Sequence, residues 1–305
     1  MLNQKYTSHF KALGTNITLT VFEAHSQFIF ELSQHLINYF ENLFSIYLPN
    51  SEISQINQFA GIKPVQVSSS VVDLVSCAKK VSLEDFGYNV AIGPLVKEWN
   101  IGFKTAHIPS STQISHDLLL TDPTKIEIDL QKQTIFLTEK DMQLDLGGIA
   151  KGYIADRLKQ LWNAYGIKNG IIDLGGNLLT LGQNLKRSDH LWRIGIQDPW
   201  KPRGNPFKSF VLPACSIVTS GIYERNFTEN QQLYHHILDP HTGFPFQNNL
   251  MSVTVFTKTS LSGEIESSRH FFNPGISSDD PNFLGACYIF KDHSYQLNWQ
   301  NKFLH

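Results

Sequence analysis

DLGGIAKGYIADRLKQLWNAYGIKNGIIDLGGN, residues 145–177, decides how this chain is read, because it sets a helical pattern between two copies of DLGG. Ile154, Leu158, Leu161, Trp162 and Tyr165 recur at helical spacing, which predicts a helix starting near Ile149 with Gly166 as its C-terminal cap. Gly170 to Leu174 predicts a buried strand, and Leu144-Asp145 the end of an earlier one, so the stretch reads as a β-α-β unit. Gly147-Gly148 permits a tight turn straight into the helix. The unpaired N–H groups and positive dipole end of that helix favour an anion, and Lys151 adds a full charge one turn in. The spacing is neither GxGxxG nor a P-loop, since Gly152 and not a hydroxyl residue follows Lys151. A phosphate-holding nucleotide site of another kind is therefore the expectation.

Outward from this stretch, 305 residues with 41% hydrophobic content are enough to bury a large core. A net charge of −2, from 25 basic and 27 acidic side chains, supplies no footprint for a nucleic-acid backbone, so no nucleic-acid partner is expected. Cys77, Cys215 and Cys287 are odd in number and form no CxxC, which points to reduced core residues and away from a disulfide framework or thiolate zinc. The N-terminal segment lacks a basic-then-apolar pattern and a lipid-carrying cysteine. No stretch reaches the roughly 18 to 20 apolar residues that cross a bilayer. A cytoplasmic protein without a membrane partner is expected.

Ile17, Leu19 and Val21 alternate as a strand, and Ile29, Leu32, Leu36, Phe40 and Leu43 mark a long amphipathic helix. The serines at 68–70 start a helix running to Val81, and residues 88–102 form a broken segment with an apolar, helix-like middle. Residues 105–123 read as a polar loop, and Lys125 to Thr138 as a hairpin. Further on, Trp192, Ile194 and Ile196 alternate, Cys215 to Thr219 is a strand, and Asp239 to Gly243 a strong turn. A strand over Val253–Phe256 leads to a helix over Ser260–Phe272, and the chain closes with a hairpin turning at Lys291–Ser294. Strands and helices interleave without a strict β-α repeat. The expected class is α+β, with mixed or antiparallel sheets packed with helices, as a single domain over 1–305.

Three groups carry chemistry. If Tyr234 to Leu238 is extended, His235 and His236 point to opposite faces and cannot jointly grip one metal. Glu264 and Ser268 stand one helical turn apart and could present two oxygens to a hard cation such as Mg²⁺; a carboxylate that merely favours the helix dipole is the other reading. Arg225 could pair with phosphate through its planar fork, or form an ordinary surface ion pair. Twelve histidines come without HExxH or a cysteine-rich ligand set, which argues against zinc hydrolysis.

DLGGIAKGYIADRL, IIDLGGN, TSGIYERNF, HHILDPHTGFP and SVTVF followed by a helix, in this order, resemble the ApbE-type FAD:protein FMN transferases. The resemblance takes in Leu13-Gly14-Thr15, FSIYLPNSEISQIN at 44–57 and VAIGPLVKEW at 90–99, and so nearly the whole chain. It implies a Mg²⁺-dependent transferase that splits the pyrophosphate of FAD, moves FMN to a Thr or Ser hydroxyl of a partner flavoprotein and releases AMP. It further implies FAD contacts at Leu13, Tyr47, Gly87, Tyr88, Asn89 and Asp145. The main-chain oxygen of Gly148 with Glu264 and Ser268 would be metal ligands, Lys151 would lie near the phosphates, and His235 and His236 would fall in the catalytic region; Arg225, as a phosphate partner, is a further catalytic candidate. The family pattern has Met where Leu13 stands, Phe-Asp at Tyr88-Asn89, and Asp and Thr at Glu264 and Ser268. These differences leave two alternatives: an FAD-binding paralogue with impaired catalysis, and a Mg²⁺-dependent FAD pyrophosphatase yielding FMN and AMP. The acceptor motif of the family's targets is absent from the chain, so the acceptor is expected to be another protein.

Overall fold

In a computed structural model, described for residues 5–22 and 26–300, the periodicities of the sequence resolve into a long series of short elements. The first part of the chain gives β1 (Tyr6–Ala12), β2 (Thr15–Val21), α1 (Ser26–Phe44), α2 (Glu52–Gln58), β3 (Val65–Gln66), α3 (Ser69–Ser82), α4 (Gly93–Trp99) and α5 (Ser111–Leu118). Then come β4 (Ile126–Asp129), β5 (Thr134–Leu137), α6 (Ala150–Ala164), β6 (Gly170–Leu174), β7 (Leu178–Leu181), β8 (Trp192–Gln197) and β9 (Pro206–Leu212). The remainder forms β10 (Ser216–Gly221), β11 (Asn226–Glu229), β12 (Gln232–His235), β13 (Leu250–Thr257), α7 (Ser260–Phe272), β14 (Phe283–Phe290) and β15 (Tyr295–Trp299). The architecture is α+β with antiparallel sheets. Two compact units are formed: Met1–Phe40 with Lys151–Gly221 and Leu250–His305, and Glu41–Ala150 with Ile222–Asn249.

The first unit is built on an eight-stranded sheet in the order β1-β2-β6-β7-β10-β13-β14-β15. Alternation along β10 sends its side chains to two different partners. Ile217 enters an apolar cluster with Trp192, Ile194 and Phe210 of the β8–β9 hairpin, while Val218 stands against Gly263 of α7. The hairpin and α7 thus cover opposite faces of the sheet. α6 buries Ile154, Leu158 and Trp162, and the Trp162 Nε1–H donates to Ser33 Oγ on α1 at 2.8 Å. Gly166 ends α6 at φ +78°: its N–H donates to the Asn163 carbonyl and that of Ile167 to the Trp162 carbonyl, a Schellman closure.

The second unit has a small sheet, β3-β5-β4, a β11–β12 hairpin and the helices α2 to α5. Its satellite core gathers Leu95, Trp99, Ile114 and Leu238. The Asp239–Gly243 turn plugs into this core. Gly243, at φ +73°, approaches Ile114 so closely that a Cβ there would collide with it, and its carbonyl accepts from Trp99 Nε1 at 2.7 Å.

Two expectations are corrected. Residues 142–146 form no strand and join no sheet, so the predicted β-α-β unit has no first strand. Their backbone groups are satisfied one by one: Gln143 O by Gly93 N, Leu144 N and O by the Asn57 side chain at 2.7 and 3.1 Å, and Asp145 N by Val90 O. β6 pairs antiparallel with both β2 and β7. The second correction is α5, inside the stretch read as a loop. Ser110 and Gln113 form a reciprocal capping box, and Ile114 is the apolar anchor that fastens this short helix.

Two substitutions test these local accounts by urea unfolding. Ser110→Ala removes the capping hydroxyl and should cost about 1 kcal/mol. Gly166→Ala meets no neighbour within 4 Å, so its expected loss of roughly 1 kcal/mol arises from the left-handed backbone alone. A neutral or stabilising Gly166→Ala contradicts the Schellman assignment.

Candidate functional site

In the second unit, the first glycine turn is held by its own acid. Asp145 Oδ1 accepts from the Gly147 N–H at 2.6 Å, and a Cβ at Gly147 would meet that same oxygen at 2.9 Å. Burial pushes the Asp145 carboxyl above the usual range, against the Gly147 hydrogen bond and the Arg225 charge. Tyr47 lies in the same field. Partial burial and then Asp145 raise its phenol while Arg225 lowers it, although the side chain is 62% exposed overall and rests on Phe103 with ring centroids 5.3 Å apart. Three residues that the sequence marks at positions 47, 145 and 225 thus share one electrostatic neighbourhood. Gly148 is exposed, and a Cβ there would stand 3.3 Å from the Tyr88 ring. Gly87 takes φ +121°, a conformation suited to glycine. The Asn89 amide is committed to the main chain, donating to Thr121 O at 2.7 Å and accepting from Ala91 N at 2.8 Å.

The histidine pair stands at the end of the β11–β12 hairpin, where β12 closes at His235 and His236 lies just beyond the strand, and the two rings take different partners. His235 is buried, 3% exposed, and its Nε2 bonds the Phe246 carbonyl at 3.0 Å. His236 is half-buried, and its Nδ1 bonds the Arg225 carbonyl at 3.1 Å. A carbonyl can only accept, so Nδ1 of His236 carries the proton and Nε2 is the basic nitrogen of the neutral ring. The Arg225 backbone is therefore fixed by His236 while its side chain, 3.4 Å from where a Gly102 Cβ would be, reaches the field of Asp145.

In the first unit, Leu13 and Gly14 form the two-residue turn between β1 and β2, with φ +53° and +66°. Two positive φ values in a two-residue hairpin make a type I′ turn, which for leucine costs strain. The chemistry of this unit gathers where α6 meets α7. Gly152 has no side chain because there is no room for one: a Cβ would meet the Ser260 carbonyl and, at 2.7 Å, Glu264 Cγ. Glu264 is 7% exposed. Burial pushes its carboxyl upward, opposed by the Lys151 charge, a hydrogen bond from Asn177 and one from the Gly152 N–H. The positive end of α6, read from the sequence as an anion site, is thus partly occupied by the protein's own Glu264; the Ile149 and Ala150 N–H groups go to the Leu146 carbonyl. Ser268 lies half-buried one turn further along α7.

Two polar residues that the sequence reading passed over organise this region. Asp156 on α6 accepts from Ser260 N and Leu261 N, one oxygen each, both at 2.9 Å, and so caps α7 from another helix. Asn177, 2% exposed, accepts from Ser260 Oγ at 2.7 Å and donates to Glu264 Oε1 at 2.8 Å. The signal for Asn177 was its place at the end of the second DLGGN. Asp156 gave none beyond an acid in an amphipathic helix. The groups around this buried carboxylate are the N–H donors of Asn177 and Gly152 and the Lys151 charge, and burial still outweighs them, so a hard divalent cation would favour its ionised form. Among the described residues no group of three or more His, Cys, Asp or Glu gathers to hold a metal ion.

The model of the ApbE family matches residues 13–274. A FAD:protein FMN transferase of Klebsiella pneumoniae is 38% identical over 264 residues, 86% of this chain and 81% of that protein. One of Treponema pallidum is 35% identical over 238 residues, 73% of this chain and 65% of that protein. Among solved structures, the ApbE protein of Thermotoga maritima superposes with a TM-score of 0.87 at 24% identity, covering 97% of each chain, and shows the same fold. The flavin transferase ApbE of Vibrio cholerae gives a TM-score of 0.82 at 23% identity over 98% of each chain. With a family match spanning most of its length and relatives this similar, the chain belongs to the ApbE family.

Proposed function

We infer that this chain is a FAD:protein FMN transferase. The observation that carries the reading is its 38% identity, over 86% of its length, with a protein of that name. In the reaction, a Thr or Ser hydroxyl oxygen of the acceptor forms a bond to the FMN phosphorus of FAD. The bridging P–O bond breaks, AMP leaves with the oxygen, and the hydroxyl proton goes to a base. We propose a single catalytic domain over 1–305 acting in the cytoplasm on a separate flavoprotein. Among the described residues no helix is long and apolar enough to cross a membrane.

The residues take roles that follow from their chemistry. His236 is the base, supported by its partial exposure and by a tautomer that leaves Nε2 to receive the proton. His235, buried against the Phe246 carbonyl, supports the hairpin that carries His236. Leu13, Tyr47, Gly87, Tyr88, Asn89 and Asp145 are the proposed FAD contacts, with Asn89 acting through the backbone turn it braces. Arg225 and Lys151 supply positive charge for the phosphates. Glu264, Ser268 and the Gly148 carbonyl would hold Mg²⁺, and the oxygen-only donor set fits that ion. Bound there, Mg²⁺ would neutralise charge on the pyrophosphate and on the departing AMP.

Incubation with FAD, Mg²⁺ and candidate acceptor domains should release AMP and add the mass of FMN to the acceptor on a Thr or Ser. FMN and AMP formed equally well without acceptor would mark a pyrophosphatase, and retention of FAD without AMP an impaired binder. The histidines separate in a second experiment. His236→Gln should lower kcat by about 100- to 10,000-fold at unchanged stability, as expected for loss of a general base. His235→Gln should mainly lower the unfolding midpoint. Equal kinetic losses in the two variants would contradict the assignment of the base.

A further inference from the structure

We propose that Asn177 is a positioning residue for Glu264, fixing the direction of its carboxylate and thereby the enzyme's affinity for its divalent cation; this rests on the metal reading above. Its amide has no freedom to turn. Ser260 Oγ donates to Oδ1, which leaves Nδ2 to donate to Glu264 Oε1. Ser260 in turn is fixed through its N–H by Asp156 on α6. A chain of hydrogen bonds thus runs from Asp156 to the Ser260 main-chain N–H, and from the Ser260 hydroxyl through Asn177 to Glu264, among residues that are buried or partly so.

A glutamate has three rotatable side-chain bonds, and a ligand that must be frozen at the moment of binding loses affinity to the entropy of ordering. Partners behind a ligating group remove that cost by holding it beforehand. Asn177 does so from one side, and the missing Cβ of Gly152 makes room for the Glu264 stem on the other. The side chain is not needed for the turn itself: the β6–β7 turn is closed by the Leu174 N–H on the Asn177 carbonyl, a main-chain bond that survives any substitution. Asn177 therefore has a side-chain role separable from its backbone role.

The test uses the full chain with Mn²⁺ as the probe, bound ion being followed by loss of the free Mn²⁺ signal in electron paramagnetic resonance, with and without FAD. Asn177→Ala should raise the Mn²⁺ midpoint about 10- to 100-fold. Ser260→Ala, which frees the amide to turn but keeps it in place, should shift it in the same direction by less, and it serves if Asn177→Ala does not fold. The Mg²⁺ concentration for half-maximal AMP release should rise in parallel, with turnover recovered at high Mg²⁺. A midpoint unchanged in both variants, or a loss that excess cation does not rescue, overturns the positioning role. Absence of any Mn²⁺ binding by the unaltered enzyme overturns the metal reading and this inference together, whereas binding that is equal in all three proteins overturns the inference alone.

Discussion

The close approach of α6 to the start of α7 at Gly152 is the constraint on which the chemistry of the sheet-bearing unit depends. Any side chain at 152 would drive the Ser260 carbonyl and the Glu264 stem away. Because none is there, Asp156, one turn further along α6, reaches the two N–H groups it caps, and Lys151, one residue earlier, lies within the field of Glu264. Magnitudes show why this matters. Taking a carboxylate out of water costs several kcal/mol, while each hydrogen bond to a charged group returns about 1.5–3 kcal/mol. Two such bonds and one ammonium offset only part of the cost, and burial, the larger effect, pushes the Glu264 carboxyl upward. A divalent cation would tip the balance toward the ionised form.

The second unit solves a different problem, holding polar groups at a turn that lies outside any sheet. Asn57 grips both backbone groups of Leu144 with its one amide, and neighbouring main-chain bonds fix residues 143 and 145. The turn that follows is thereby delivered with Asp145 bonded to Gly147 and in the fields of Arg225 and Tyr47. The same economy appears in the hairpin, where the Arg225 carbonyl accepts both the N–H and the Nδ1 of His236. One backbone oxygen thus sets both the position and the tautomer of the ring.

Local pattern made much of this legible. α7 over Ser260–Phe272 and β6 over Gly170–Leu174 fall where periodicity puts them, and Gly166 caps as glycine at that spacing should. The helix α5 escaped because Ile114 is its one fully buried residue, so its apolar period is too short to see; the Ser110–Gln113 box was the available signal. The missing first strand has a deeper cause. An apolar run before a glycine turn looks the same whether a strand or a side chain 87 positions away satisfies its backbone. Asp156 and Asn177 were hidden for the same reason, since a buried polar residue is explained only by partners that the fold brings to it. The motif residues stood out as types, but their tautomers and commitments, as at His236 and Asn89, belong to the three-dimensional structure.

Crystals grown with Mn²⁺ and FAD, examined by anomalous diffraction, test the central claim most directly. The account predicts an anomalous peak bonded to a Glu264 carboxylate oxygen, with Asn177 still donating to that carboxylate. A peak elsewhere, with Glu264 held only by Asn177, Gly152 and Lys151, would contradict it.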